Sequence, residues 1–122
     1  MPSCIGVVIA EDEVLIRMAA ADALRDEGFA VMEAQHAEDA LGILQAHASS
    51  LQVLFTDIHM PGAMDGLALA HHTARTWPWI ALLITSGRAR PEGASLPARS
   101  CFLTKPYSHH HVVNHIREMT AA

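Results

Sequence analysis

Basic residues are few and scattered: eight lysines and arginines stand against thirteen aspartates and glutamates, a formal net charge of −5 with the histidines neutral. No Lys/Arg cluster forms, which argues against direct nucleic-acid binding, since that needs a basic face. No apolar run approaches the length of a membrane span. No basic segment precedes the first apolar run, so no secretory signal is expected. Two cysteines, Cys4 and Cys101, are too few for a disulfide framework. Internal repeats, low-complexity tracts and linkers are lacking as well. What is present is 122 residues, 51% of them hydrophobic, which suits one domain spanning residues 1–122 with an ample core. A cytoplasmic protein with no membrane association is the expectation. Nine histidines make its charge pH-dependent.

The stretch from Leu51 to Gly66 organises the rest. It opens with the apolar run Val53-Leu54-Phe55, followed by Thr56 and a single carboxylate, Asp57. The turn formers Pro61-Gly62 arrive too soon for a helix, so Leu51 to Phe55 reads as a buried third strand. Asp57 then sits where the strand ends, at the edge where open parallel sheets bind ligands. Alone, such an aspartate reads equally as a turn residue or a helix cap.

Taken in order, Cys4 to Ala10 reads as a strand ending in Glu11-Asp12-Glu13. A helix follows, with Val14, Met18, Ala21 and Leu24 on one face, Asp12 as a candidate cap and a stop near Gly28. Phe29 to Ala34 reads as a second strand, and Ala37, Ala40, Leu41, Leu44 and Ala48 as a helical stripe. Beyond the third strand, Leu67, Ala70, Ala74 and Trp77 mark a helix that Trp77-Pro78 ends. Trp79 to Ile84 reads as an apolar strand running into Thr85-Ser86-Gly87. Arg88 to Ser100, with Pro91, Gly93 and Pro97, leaves space for at most a short helix. Cys101-Phe102-Leu103 gives a fifth strand, and Ser108 caps a last helix with Val112, Val113, Ile116 and Met119 inward. Strands alternating with helices predict an α/β fold with a parallel sheet covered on both faces.

The strand ends carry the chemistry. Glu11 and Asp12, Asp57, Thr85 and Ser86, and Lys105 all fall at one edge of a doubly wound sheet. Crowded carboxylates repel unless a cation joins them. Oxygen ligands of this kind suit Mg²⁺. A lysine and a hydroxyl opposite them suit a phosphoryl group. The set predicts an aspartate that accepts a phosphoryl group beside Mg²⁺.

Glu11-Asp12, the block Asp57-Ile58-His59-Met60-Pro61-Gly62, Ser86-Gly87 and Lys105-Pro106, in this order, resemble the receiver domain of bacterial two-component response regulators over essentially the whole chain. The resemblance implies a flavodoxin-like five-stranded sheet of order 2-1-3-4-5. It makes Asp57 the phosphoacceptor. The Mg²⁺ ligands would be Asp12, Asp57 and the backbone carbonyl of His59, with Glu11 acting through water. Lys105 would bind the phosphoryl group, Ser86 would be the switch hydroxyl with Thr85 as the alternative, and Phe102 the switch aromatic. The implied donor is a sensor histidine kinase or histidine phosphotransfer protein, and output passes by contact to a downstream protein. The domain would assist its own phosphorylation and dephosphorylation without being an enzyme in the usual sense. It is expected to work as a stand-alone module. It departs from the family's commoner pattern in the serine at the switch position, one extra residue between Pro61 and Gly66, and a short or irregular fourth helix that alters the output surface.

Other readings compete. Glu11-Asp12-Glu13 alone suits a helix N-terminus. His109-His110-His111 reads as the exposed first turn of the last helix, and His71-His72 as surface residues. A phosphatase with an aspartyl-phosphate intermediate would want a second aspartate where His59 stands. A flavodoxin's phosphate loop would be repelled by the acid triplet, and a non-phosphorylated binding module would not need the full acid–Asp–Lys set. In a sheet of order 2-1-3-4-5, two strands separate Cys4 from Cys101. That is roughly 14 Å at about 4.8 Å per strand, too far for a disulfide.

Overall fold

The computed structural model describes residues 4–87 and 96–121. Strands and helices alternate: β1 (Gly6–Ala10), α1 (Val14–Asp26), β2 (Ala30–Ala34), α2 (Ala37–His47), β3 (Val53–Asp57), α3 (Gly66–Thr76), β4 (Ala81–Ser86), β5 (Ser100–Thr104) and α4 (His109–Thr120). A 3₁₀ turn at Ala48–Ser50 leads into β3. All strand pairs are parallel, in the order β2-β1-β3-β4-β5. The doubly wound topology is the one the sequence predicts. The expected short fourth helix falls mostly on residues 88–95, outside the described residues; Leu96 to Arg99 make a bend and a turn.

Every residue of β1 and β3 is buried, which is why these runs are apolar throughout rather than alternating. On one face, Val8, Ala10, Leu54, Leu82 and Ile84 meet Ala40 and Leu44 of α2 and Leu69 and Ala70 of α3. On the other, Val7, Ile9, Phe55 and Leu83 meet Ala20, Ala21 and Leu24 of α1 and Val112, Val113 and Ile116 of α4. Each fully buried leucine or isoleucine contributes about 1.5–3 kcal/mol. These two layers clamp the sheet and fix where its C-terminal edge lies.

The helices start at side-chain caps. Asp65 accepts the Ala68 N–H at 2.8 Å, Ser108 that of His111 at 3.1 Å, and His36 Nδ1 that of Asp39 at 3.1 Å. The exception is α1. Its N-cap is Glu13, with no side-chain bond, so the expected Asp12 cap is not formed. Its inward stripe differs too. Val14 and Met18 are about half exposed and Leu15 is 81% exposed, while Ala20, Ala21 and Leu24 face the sheet. An alanine-rich helix offers little hydrophobic contrast, and the small residues let it lie close to the strands.

Several strand boundaries shift, with β3 running Val53–Asp57 rather than Leu51–Phe55 and β5 Ser100–Thr104 rather than Cys101–Leu103. β4 begins at Ala81 rather than Trp79. The Ile80 N–H closes a turn onto Trp77 O at 3.0 Å, and the half-exposed Trp79 indole donates to Ala48 O at 3.2 Å. β2 begins at Ala30 rather than Phe29, and Cys4 precedes β1 instead of lying in it. Both cysteines are free thiols. His109, His110 and His111 are exposed as expected, whereas His71 and His72 are half-buried.

Gly66 holds the loop after β3 against the sheet. Its N–H donates to Ile58 O at 2.9 Å, and a Cβ there would collide with the backbone of Asp57 and with Thr56 Oγ1. Gly42, exposed on α2, has nothing near it. Gly66→Ala is therefore expected to cost about 3 kcal/mol in urea unfolding, at the upper end of overpacking. Gly42→Ala is expected to stabilise the protein by about 1 kcal/mol. Equal tolerance of both substitutions would contradict the close approach at Gly66.

Candidate functional site

Side chains alternate along a strand, so residues an even number of steps apart share a face. Phe55 puts Asp57 on the α1/α4 side. Ile9 does the same for Glu11, and Leu103 for Lys105. Three residues far apart in sequence thus converge at the C-terminal edge. Lys105, the only lysine in the chain, joins them. Its Nζ donates to Glu11 Oε1 at 2.6 Å and to Asp57 Oδ2 at 2.9 Å. The remaining oxygens are also engaged: Glu11 Oε2 accepts the Glu13 N–H at 3.0 Å, and Asp57 Oδ1 that of His59 at 3.3 Å. Lys105 precedes a cis proline, Pro106.

Glu11 and Asp57 are buried, while Asp12 is exposed. One oxygen from each of these acids lies within 4.8 Å of the other two. One ammonium among three carboxylates leaves a negative excess that suits a divalent cation. All-oxygen donors of this kind, open to solvent at Asp12, fit Mg²⁺, which keeps several waters. Burial raises the Glu11 carboxyl above the usual carboxylate range, against the hydrogen bond and charge of Lys105. Burial would lower Lys105, but its bonds to Glu11 and Asp57 outweigh this and raise it. The ammonium therefore stays charged wherever the acids are ionised.

The two hydroxyls at the end of β4 face opposite ways. Thr85 is in register with Asp57 and follows Leu83, so it points to the α1/α4 side. It is buried, and its Oγ1 has no hydrogen-bond partner among the described residues. Ser86 is also fully buried, on the side of Ile84 and Phe102. Phe102 is half-buried against the α2/α3 core. The β4 backbone ties both ends of the site together. The Ile58 N–H donates to Thr85 O at 2.9 Å, and the Lys105 N–H to Ser86 O at 2.8 Å.

In the loop after β3, Gly62 has a φ of 117°, which favours glycine. Glu38, at the start of α2, accepts the Met64 N–H at 3.1 Å and anchors the same loop. The residue reading did not single out Glu38, and no local motif marks it. It also passed over Arg17, whose Nη1 donates to Glu11 O at 2.9 Å, a side-chain-to-backbone bond that no motif marks. Tyr107 was missed as well, two residues after Lys105. It packs edge-on to Phe55 with ring centroids 5.5 Å apart.

Residues 7–117 match the response regulator receiver domain. The chain belongs to this family. The transcriptional regulatory protein PdtaR of Mycobacterium tuberculosis is 36% identical over 105 residues, 84% of this chain and 50% of the relative. The receiver thus spans about half the length of that curated relative. Among solved structures, a response regulator receiver protein from Sinorhizobium medicae superposes with a TM-score of 0.88 at 24% identity, covering 96% of this chain and 94% of that one. The CheY in a CheX–CheY–BeF3–Mg²⁺ complex from Borrelia burgdorferi gives 0.86 at 20% identity, covering 97% and 90%. Both likenesses concern the receiver fold. Among the described residues, no helix is long and apolar enough to cross a membrane.

Tyr107, the receiver's only tyrosine, reports on the charge of the site. Burial, followed by the charge of Glu11, pushes its phenol up from 10.0 to about 12. A proton held more tightly in the fold means stability that is fully present below pH 10 and is lost as pH rises toward 12. Phenolate absorbance should stay low at pH 11 in the folded receiver and appear near pH 12 or with unfolding. A midpoint near 10.0 with the fold intact would show the ring to be solvated.

Proposed function

We propose that this receiver accepts a phosphoryl group on Asp57 from the phosphohistidine of a sensor histidine kinase or phosphotransfer protein. The observation that carries the reading is the single buried carboxylate at the end of β3, held by Lys105 beside the acid pair of β1. Mg²⁺ would be held by Asp12, Asp57 and the backbone carbonyl of His59, and through water by Glu11. Bound there, it supplies charge neutralisation for the phosphoryl oxygens. A carboxylate oxygen of Asp57 attacks phosphorus. The P–N bond to the donor imidazole breaks, and its electron pair returns to the ring nitrogen. A mixed anhydride results, and water later cleaves it to carboxylate and inorganic phosphate. The domain assists both steps on itself and turns over no separate substrate.

Lys105 would exchange its bond to Asp57 for one to a phosphoryl oxygen. The Ser86 hydroxyl would turn toward the same group, and Phe102, on the same face, would follow. This shifts a pre-existing equilibrium and changes the surface a downstream protein reads. Val14, Leu15 and Met18 are exposed on α1, the helix that follows Glu11-Asp12, and would give the donor an apolar landing. The Borrelia relative, solved with BeF3 and Mg²⁺, supports the same chemistry here. A cytoplasmic setting matches such a donor.

Incubation with acetyl phosphate and Mg²⁺, read by intact mass, should add one phosphoryl group to the wild type and none to Asp57→Asn. Stoichiometric labelling of the variant would remove Asp57 from this role. The two β4 hydroxyls separate in a second measurement, the amide shifts at Phe102 on adding beryllofluoride. Ser86→Ala should lose the response. Thr85→Val should keep it and gain about 1 kcal/mol of stability, because an unpaired buried hydroxyl is removed. The reverse pattern would make Thr85 the switch hydroxyl.

A further inference from the structure

Two arginines on α1 share one acid on β2. Arg17 Nε donates to Glu33 Oε1 at 3.3 Å, and Arg25 Nη1 to Glu33 Oε2 at 3.2 Å. Each guanidinium also reaches a backbone carbonyl, but not the same one. Arg25 Nη2 donates to Val31 O, in the middle of β2, at 3.1 Å. Arg17 Nη1 donates to Glu11 O at 2.9 Å. The Arg17 side chain is 11% exposed against 45% for Arg25, so its charge-assisted bonds are the better shielded pair.

The carbonyl of Glu11 belongs to the peptide unit that links Glu11 to Asp12. β1 ends at Ala10, so this unit lies just beyond the strand, between the two acids of the site. Fixing its plane fixes the directions in which both side chains leave the backbone. The Glu11 N–H is already held by Ala34 O at 3.1 Å on the β2 side. Arg17 holds the other end of the same residue.

We infer that Arg17 is a positioning residue: it sets the geometry of the Glu11–Asp12 pair for a divalent cation. The inference rests on the metal-binding reading above. It differs from a purely structural role, in which Arg17 only fastens α1 to β2 through Glu33. Arg25 supplies the comparison, because it makes the same ion pair with the same acid and its carbonyl partner lies away from the site. Charge and position also predict opposite signs. Losing a nearby positive charge strengthens cation binding, whereas losing the orientation of two ligands weakens it. Removal of residues that orient metal ligands typically costs on the order of 10–100-fold in affinity, so position should win.

The test measures Mg²⁺ affinity by amide shifts of Asp12 and Glu13, and stability by urea unfolding, in wild type, Arg17→Met and Arg25→Met. Arg17→Met should weaken Mg²⁺ binding about tenfold. Arg25→Met should bind Mg²⁺ like the wild type while losing stability. Wild-type affinity in folded Arg17→Met, or an equal loss in Arg25→Met, would overturn the inference and leave the proposed function standing. If Arg17→Met does not fold, Arg17→Lys decides. Its ammonium can keep Glu33 but lacks the planar fork that reaches the carbonyl as well. Mg²⁺ binding should again weaken, and unchanged affinity overturns the inference. A wild type that binds no Mg²⁺ would overturn both this inference and the reading it rests on.

Discussion

The Lys105 ammonium is the constraint on which the site depends. It bonds Glu11 Oε1 and Asp57 Oδ2 at once, and so ties the ends of β1, β3 and the β5 connection to a single point. Glu11 and Asp57 are nearly excluded from water, and two such carboxylates side by side would each favour protonation over charge. The ammonium opposes that preference, although burial still holds the Glu11 carboxyl above its ordinary value, and the ammonium's own proton affinity rises as a result. Geometry makes this possible, because Glu11, Asp57 and Lys105 fall on the same side of the pleat. Lys105 must reach past β4 to meet the acids, and a long flexible stem can do so where a shorter residue could not.

β4 links the two sides of the site. Thr85 and Ser86 are adjacent in the chain and opposite in the sheet, while their carbonyls bond the residue after Asp57 and the lysine itself. Any movement at the end of β4 is therefore felt by the acceptor and by its counter-charge together. The unpartnered Thr85 hydroxyl lies in the same small volume. A buried polar group without a bond is a local instability, and it marks this strand end as a place where the packing is not at its most favourable.

The sheet and its edge were readable because β1, β3 and β4 are short, apolar runs closed by acids or a turn former. Asp57, Glu11 and Lys105 could be named from position alone, since a strand end at the C-terminal edge is defined once the strand is. Less was readable in α1. With Ala19, Ala20, Ala21 and Ala23 in one helix, periodicity hardly separates inside from outside, and Val14 and Met18 were assigned to the wrong face. The start of β4 was blurred for a different reason. Trp79 and Ile80 are apolar but are used in a turn, with the indole N–H taken by a carbonyl 31 residues away. Arg17 and Glu38 act through backbone atoms of other segments, and no side-chain pattern along the chain encodes such bonds.

The Lys105–Glu11 pair spans 94 residues. A chain emerging from the ribosome presents its acids long before the one cation that reconciles them. Until the last strand docks against β4, the acceptor edge is an uncompensated cluster of negative charge, and the nascent domain has no pocket in which to hold an anion. The charge balance of the edge thus depends on closure of the sheet by β5. A nick that keeps β5 from docking would leave Glu11 and Asp57 without their ammonium, though no acid is touched.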